Sequence, residues 1–435
     1  MNRAASKWFH SWRKKDDRSV LLVRGARQVG KTYSVRELGK AFGNCVEVNF
    51  EEHRDIHTFF AGNLTPGPIC EKLSAYYQRP ITPGKTLLFL DEIQACPDAL
   101  SSLRFFKEKM PDLHVVASGS LLEFAMEELP SQGVGRISSL FMYPISFTEF
   151  LEALDELPLL NIMKKGEADH PIDDAFHKKL VELLRTYQLI GGMPQVVSAY
   201  VKRRDLNECM EILDSLLVIL RDDFAKYKKR APVSRLVDVY NSIFMQAGSK
   251  FMYSRIDSNC TSAPLKESVE MLIKAGLTIK VPHSSAHGLP LSSQAKSTKF
   301  KLLPSDTGLM QRALGLDISS LLVASDINIV NKGSLAEVYV GLELIRSASP
   351  LVKPALHYWH RESRGSSAEL DYVIQHENNI LPIEVKAGSS GKMRSMHMFL
   401  DERTLDCGIR MSLENFSEYG KILSVPLYCA SRFHA

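Results

Sequence analysis

Ser19-Val20-Leu21-Leu22-Val23-Arg24, followed at once by Gly25-Ala26-Arg27-Gln28-Val29-Gly30-Lys31-Thr32, decides how this chain begins to fold. The first six residues form a short apolar run that reads as a buried strand. Lys31 to Phe42 then carries Tyr33, Val35, Leu38 and Phe42 at helical spacing. Strand, tight turn, helix is the context in which backbone N–H groups at a helix N-terminus point at phosphate oxygens, helped by the helix dipole. Gly25 and Gly30 stand where a Cβ would block that approach, and Ala26, Arg27, Gln28 and Val29 complete the loop. Lys31 is expected to reach the β and γ phosphates, and the Thr32 hydroxyl to ligate magnesium.

Working outward, Cys45 to Phe50, Leu87 to Leu90, His114 to Ala117 and Ile137 to Tyr143 read as further strands separated by helical segments. That alternation predicts a parallel sheet covered on both faces, an α/β domain over 1–150. Asp91 closes the strand Leu87-Leu88-Phe89-Leu90, and Glu92 follows it. Asp91 is expected to hold magnesium through a water and Glu92 to polarise the attacking water, which points to ATP hydrolysis rather than passive binding. The competing reading is a helix N-cap after a buried strand. Ser118 or Ser120, in Ala117-Ser118-Gly119-Ser120, could sense the γ-phosphate, although Ser-Gly is also common in turns. Arg136, in Gly133-Val134-Gly135-Arg136, is the candidate for an arginine supplied to a neighbouring subunit, against the reading of a solvated loop residue.

These residues resemble the AAA+-related ATPases of bacteria and archaea that join a P-loop domain to a C-terminal domain of unknown function. The resemblance rests on Arg24 to Thr32, Leu90-Asp91-Glu92-Ile93-Gln94, Ser118-Gly119-Ser120, Gly135-Arg136, Pro144-Ile145-Ser146-Phe147-Thr148-Glu149-Phe150, Gly191-Gly192-Met193-Pro194 and Asp306-Thr307-Gly308-Leu309. It covers nearly the whole chain. It implies a sheet with an added strand between the P-loop strand and the Asp91 strand, which the fourth strand fits.

After Pro144 the pattern turns mostly helical, and 151–230 reads as a helical connector broken at Gly191-Gly192-Met193-Pro194. Over 231–305 the order is a helix (Val233 to Met245), a short segment (Lys250 to Ile256), a helix (Leu265 to Ala275) and strands Leu277 to Val281 and Lys299 to Leu303. That is the order of a winged helix, with Ser284 to Ser297 as a flexible wing tip. Lys266 and Lys274 on the second helix and Lys280, Lys296, Lys299 and Lys301 on the wing suit DNA phosphates. Glu267 and Glu270 dilute that charge, and winged helices also pack against proteins.

The last segment, 306–435, is a second α/β unit: a helix at Ser334 to Arg346, then strand-like Leu356 to His360, Glu369 to Ile374 and Ile380 to Lys386. The last two read as a hairpin. Glu384 and Lys386 are two apart in one strand and so share a face, and Asp371 opposite them would bring two carboxylates and an ammonium together. Such a trio can hold magnesium and orient a water for phosphodiester hydrolysis. The arrangement resembles the restriction-endonuclease-like PD-(D/E)XK nuclease core. The resemblance carries over Glu337, Asp371 and Glu384 as metal ligands, with Asp371, Glu384 and Lys386 as the catalytic set. The competing reading is a solvent-facing row of charges on an edge hairpin.

With 435 residues, 45% hydrophobic and 24% charged, the chain has the composition of an ordinary globular protein of two or three domains. Its 54 basic and 50 acidic residues leave a net charge of +4, too balanced to argue for nucleic acid by itself. No apolar run approaches the roughly 20 residues needed to span a bilayer, and the N-terminus lacks an apolar signal centre, so a cytoplasmic location is expected. The seven scattered cysteines support neither a disulfide framework nor a zinc site. The leading expectation is an ATP- and magnesium-dependent ATPase acting on DNA. The alternatives are an ATP-gated switch whose nuclease-like domain only binds a partner protein, and a DNA-binding regulator with little turnover. The oligomeric state is open.

Overall fold

The computed structural model describes residues 3–127, 135–227, 230–256, 261–316, 332–362, 368–388 and 393–434. The chain divides into two compact units, one holding 1–143 with 274–276 and 349–353, the other holding the remainder. Four domains, 1–150, 151–230, 231–305 and 306–435, are expected from the sequence. The second unit takes in most of 144–435, with 274–276 and 349–353 grouped with the first.

In the first unit the order is α1 (Ala4–Arg13), β1 (Val20–Arg24), α2 (Lys31–Gly39), β2 (Asn44–Asn49), α3 (Pro66–Tyr77), β3 (Thr86–Asp91), α4 (Pro97–Lys109), β4 (His114–Ser118), α5 (Leu122–Glu127) and β5 (Ile137–Phe141). The strands lie in the order β2-β3-β4-β1-β5, every pair parallel. β4 does stand between the P-loop strand β1 and the Asp91 strand β3. Side-chain alternation divides the core. Val20, Leu22, Leu88 and Leu90 pack with Leu73, Leu100, Leu103 and Phe106 of α3 and α4 on one face. Leu21, Val23, Leu87 and Phe89 pack with Phe9, Trp12, Val35 and Leu38 of α1 and α2 on the other. Strands buried on both faces must be apolar throughout, which is why their sequences are continuous rather than alternating.

The second unit opens with α6 (Phe147–Ala153), α7 (Leu157–Lys165), α8 (Asp174–Ile190), α9 (Pro194–Arg203) and α10 (Leu206–Asp222), the helical stretch expected from sequence. α11 (Val233–Met245), α12 (Ser262–Lys274), β6 (Thr278–Ser284), β7 (Ala295–Pro304) and α13 (Thr307–Ala313) follow. The rest is α14 (Lys332–Arg346), β8 (His357–His360), β9 (Glu369–His376), β10 (Asn379–Val385), α15 (Arg394–Arg403), β11 (Gly408–Ser412), β12 (Ser417–Tyr419) and β13 (Ile422–Pro426).

The β6–β7 hairpin, expected as a free wing, is instead the edge of an eight-stranded sheet ordered β12-β13-β11-β10-β9-β8-β6-β7. β6 joins it through a parallel pairing of His283 with Tyr358 of β8. The tip is not loose either. Ala286 and Leu291 are buried with Trp359, Phe399 and Leu400, and Arg403 of α15 donates to the Ser285 and Ala286 carbonyls, each at 2.9 Å. Polar tip composition predicts flexibility only while the tip has no partner, and here α15 supplies one. Among the described residues, no helix is long and apolar enough to cross a membrane.

Candidate functional site

The turn after β1 is forced by its neighbours. Gly25 has φ +147°, and a Cβ there would lie 2.2 Å from the Met142 carbonyl oxygen. Arg3 braces the other side, donating to the Val29 carbonyl at 2.8 Å and the Tyr143 carbonyl at 2.7 Å. No sequence pattern flags this arginine, because it lies far from the motif along the chain. Gln28 also takes a positive φ of 65°, and Gly30 one of 91° where α2 begins.

Lys31 leads α2 and is buried, its ammonium donating to the Gly25 and Ala26 carbonyls at 3.0 and 2.7 Å. Burial lowers its pKa to about 8, against the pull of Glu92 and Asp91. Thr32 donates to Asp91 Oδ2 at 2.9 Å. The other oxygen, Asp91 Oδ1, accepts from the Ser118 hydroxyl and from the Glu92 N–H at 3.1 Å. Burial raises the Asp91 pKa, while the Ser118 and Thr32 hydroxyls hold it down. Parallel pairing of β3 with β4, and of β4 with β1, brings the P-loop, Asp91 and Ser118 to the C-terminal ends of adjacent strands.

Ser118 is thus fully buried against Asp91. Its hydroxyl is committed to that carboxylate. Ser120 instead offers its N–H and hydroxyl to Glu92 Oε2 at 3.4 and 3.3 Å, and accepts from Arg27 Nε at 3.4 Å. Glu92 has a left-handed backbone, φ 49°, and Gln94 donates to its Oε2 at 2.6 Å. Gln94 is a site residue whose role the sequence reading missed, although it lay within the quoted motif.

Arg136 lies away from this cluster. Its carbonyl accepts from Val20 N–H at 3.0 Å, and its side chain pairs with Glu108 of α4. It therefore precedes β5 at the entry end of the sheet, whereas the P-loop leaves the exit end of β1. The adjoining Gly133 and Val134 lie outside the described residues.

The second expected cluster does assemble, with unexpected members. β9 and β10 pair through Tyr372 and Ile383, which sets Asp371 and Glu384 opposite each other one step on. Asp371 Oδ2 accepts the Val385 N–H at 2.7 Å, and Lys386 pairs with Glu384 at 2.5 Å. Glu337 arrives from α14, its backbone carbonyl held by the Tyr372 hydroxyl at 2.8 Å. Glu369 and the buried Lys301 join them. Burial raises the Glu337 pKa to about 8, with Asp371 adding repulsion, and burial likewise raises Asp371 and Glu384. A solvent-facing charge row does not describe this site, because Glu337, Glu384 and Lys301 are buried.

The wing lysines already have carboxylate partners. Lys296 and Lys299 pair with Glu362, Lys280 pairs with Glu270, and Lys301 is buried. Lys266 is exposed beside Glu267.

Three family models match separate stretches: an AAA domain over 17–151, a domain of unknown function (DUF8612) over 181–320, and another (DUF4143) over 332–429. No curated protein matches the chain. Among solved structures, the chain is similar to the Walker-type ATPase PABY2304 of Pyrococcus abyssi, with 14% identity, 72% of this chain and 94% of that one covered, and a TM-score of 0.45. It is also similar to the ORC1 protein of Aeropyrum pernix, solved in complex with DNA (14% identity, 74% and 95% covered, TM-score 0.30). The ADP form of that organism's ORC2 protein gives 14% identity, 74% and 93% coverage and a TM-score of 0.33. The matched AAA model and the P-loop sheet make the N-terminal unit an AAA-type ATPase domain.

Proposed function

We propose that the AAA-type domain binds ATP with magnesium and hydrolyses it, and that the C-terminal unit is a contact module whose engagement with a partner protein follows the nucleotide state. The observation that carries the hydrolysis reading is the convergence of the Thr32 and Ser118 hydroxyls on Asp91, beside Lys31, with Glu92 next in the chain and held by Gln94 and Ser120. The backbone N–H groups of the Gly25 to Thr32 loop and the Lys31 ammonium would hold the phosphates. A hydroxyl and a carboxylate are hard oxygen donors, so Thr32 and Asp91 fit magnesium, which supplies charge to the phosphate oxygens when bound. Glu92 orients the attacking water and takes its proton as the terminal phosphoanhydride bond breaks, giving ADP and phosphate. Arg136 would serve only the phosphate of a neighbouring copy, after leaving Glu108.

The test is steady-state ATP hydrolysis beside nucleotide binding. Lys31→Ala is expected to lose binding. Glu92→Gln should retain binding and lose turnover by roughly 100-fold or more. Retained affinity in the first variant, or undiminished turnover in the second, overturns the assignment of that residue.

The contact-module reading is supported by the carboxylate partners that Lys280, Lys296 and Lys299 already have within the same unit, which a phosphate would have to displace. Duplex DNA is expected to bind weakly, with little change in Lys266→Glu. Tight, strongly salt-dependent binding that Lys266→Glu weakens would restore the DNA reading.

A further inference from the structure

Lys301 projects from β7 into the carboxylate cluster and is fully buried. Its ammonium donates to Glu337 Oε1 at 2.9 Å, pairs with Glu369 Oε1 at 2.5 Å and stands 3.8 Å from Asp371 Oδ1. It also lies over the Tyr358 ring, 5.2 Å from the centroid. Three carboxylates from α14 and β9 thus surround one cation supplied by a third element.

Two of the remaining oxygens are committed as well. Asp371 Oδ2 takes the Val385 N–H, and Glu384 Oε1 takes Lys386. Glu384 Oε2 is buried without a hydrogen-bond partner. The ammonium cannot be withdrawn cheaply, because it is buried against Glu337 and Glu369, and the strand that carries it is held by pairing of Lys301 with Val281 of β6 on one side and a bridge to Lys250 on the other. A divalent ion among Glu337, Asp371 and Glu384 would have to sit beside this buried ammonium and would meet its repulsion, which burial of Lys301 and Glu337 leaves only partly screened. The residues that resemble a nuclease's metal ligands therefore do not fit a metal in this chain.

We infer that Lys301 is the resident cation of the C-terminal cluster, joining the hairpin to α14 and β9 in the place a divalent ion would need, so that this unit neither takes up metal nor cleaves phosphodiester bonds. The inference deepens the contact-module reading and is independent of the ATP reaction, since its test uses nucleotide-free protein.

Manganese is titrated into the full chain without nucleotide, with bound and free ion separated by electron paramagnetic resonance. The wild type is expected to have no site that Asp371→Asn removes, and no manganese-dependent nicking of supercoiled plasmid. Lys301→Gln and Lys301→Met are expected to gain a site roughly tenfold tighter or more than anything in the wild type, and Asp371→Asn should abolish that gain. A wild-type manganese site lost in Asp371→Asn overturns the inference, whatever the lysine variants do. Folded Lys301 variants, judged by circular dichroism, that gain no site would equally overturn the assignment of the exclusion to this lysine. If neither variant folds, the wild type against Asp371→Asn decides the question alone.

Discussion

Asp91 acts through its neighbours. Burial raises the pKa of its carboxyl, and the hydrogen bonds from Thr32 to one oxygen and from Ser118 and the Glu92 N–H to the other oppose that rise. Ser118→Ala leaves Asp91 in place and removes its orientation, so ATP turnover is expected to fall roughly 10- to 100-fold, as for other groups that hold a metal-binding side chain. Unchanged turnover would mean that Thr32 and the backbone suffice. Gly25→Ala tests the loop, because its methyl would collide with the Met142 carbonyl rather than with a movable side chain. Nucleotide affinity is expected to drop in this variant, and a titration matching wild type would show that the loop can move aside. The P-loop, Asp91 and Glu92 were legible in sequence because their spacing follows local strand-turn-helix geometry. Arg3 was not, since it meets Val29 and Tyr143 only after the chain has folded.

At the scale of elements, the β6–β7 hairpin carries the largest change from expectation. Its helix-helix-ribbon order was readable, but its attachment to β8 through His283 and Tyr358 has no local signature. His283 is buried at that junction, and burial, with His360 and Lys299 nearby, lowers its pKa from the ordinary 6.5 to about 4. The unfolded chain therefore takes up a proton that the folded chain refuses. Stability is full above pH 6.5 and is lost as pH falls toward 4, by about 2 kcal/mol at pH 5 from this group. Denaturant melts at pH 7 and pH 5 should show that loss, and His283→Gln should flatten it; an equal loss in the variant would shift the effect to other histidines. At the other end of the unit, Gly191 has φ +71°, and a Cβ there would lie 2.0 Å from Asp306 Oδ1. The Gly191-Gly192-Met193-Pro194 motif thus reports a close approach rather than a reactive site.

Across the second unit as a whole, three motifs separated along the chain meet at one buried network. Asp306 Oδ2 accepts the Gly192 N–H at 2.6 Å, and Tyr187 donates to the Ile145 carbonyl. Glu343 of α14 accepts the Phe147 N–H at 3.2 Å, and Arg346 reaches Tyr187 at 2.5 Å and Glu343 at 3.3 Å. Burial raises the Glu343 pKa to about 7, opposed mainly by Arg346. Removing one member strands the others in a dry site. Glu343→Ala should therefore cost ~2–4 kcal/mol, since Arg346 is left with the more distant Asp306, 3.8 Å away, as a carboxylate partner. Urea unfolding would measure it, and a cost below ~1 kcal/mol would mean that water reaches the arginine.

The amino-acid order by itself determined the parallel P-loop sheet, the meeting of Asp91 with Thr32 of the loop, the helical connector and the β9–β10 hairpin that sets Asp371 against Glu384. Each depends on the period of apolar residues or on the chemistry of neighbours a few positions apart. Tertiary structure alone decided that Ser118 serves Asp91, that Arg136 stands at the far end of its strand, and that a lysine counted as a surface cation is an interior one. Lys301 lies in Lys299-Phe300-Lys301, where alternation puts it on the same face as the partly exposed Lys299, which pairs with Glu362. Which side of a strand is dry depends on what packs there, and α14 and β9 reach Lys301 from residues far along the chain. A charge pattern shows that a cation is present, but only the packing of distant elements sets whether it meets water, a phosphate or three carboxylates.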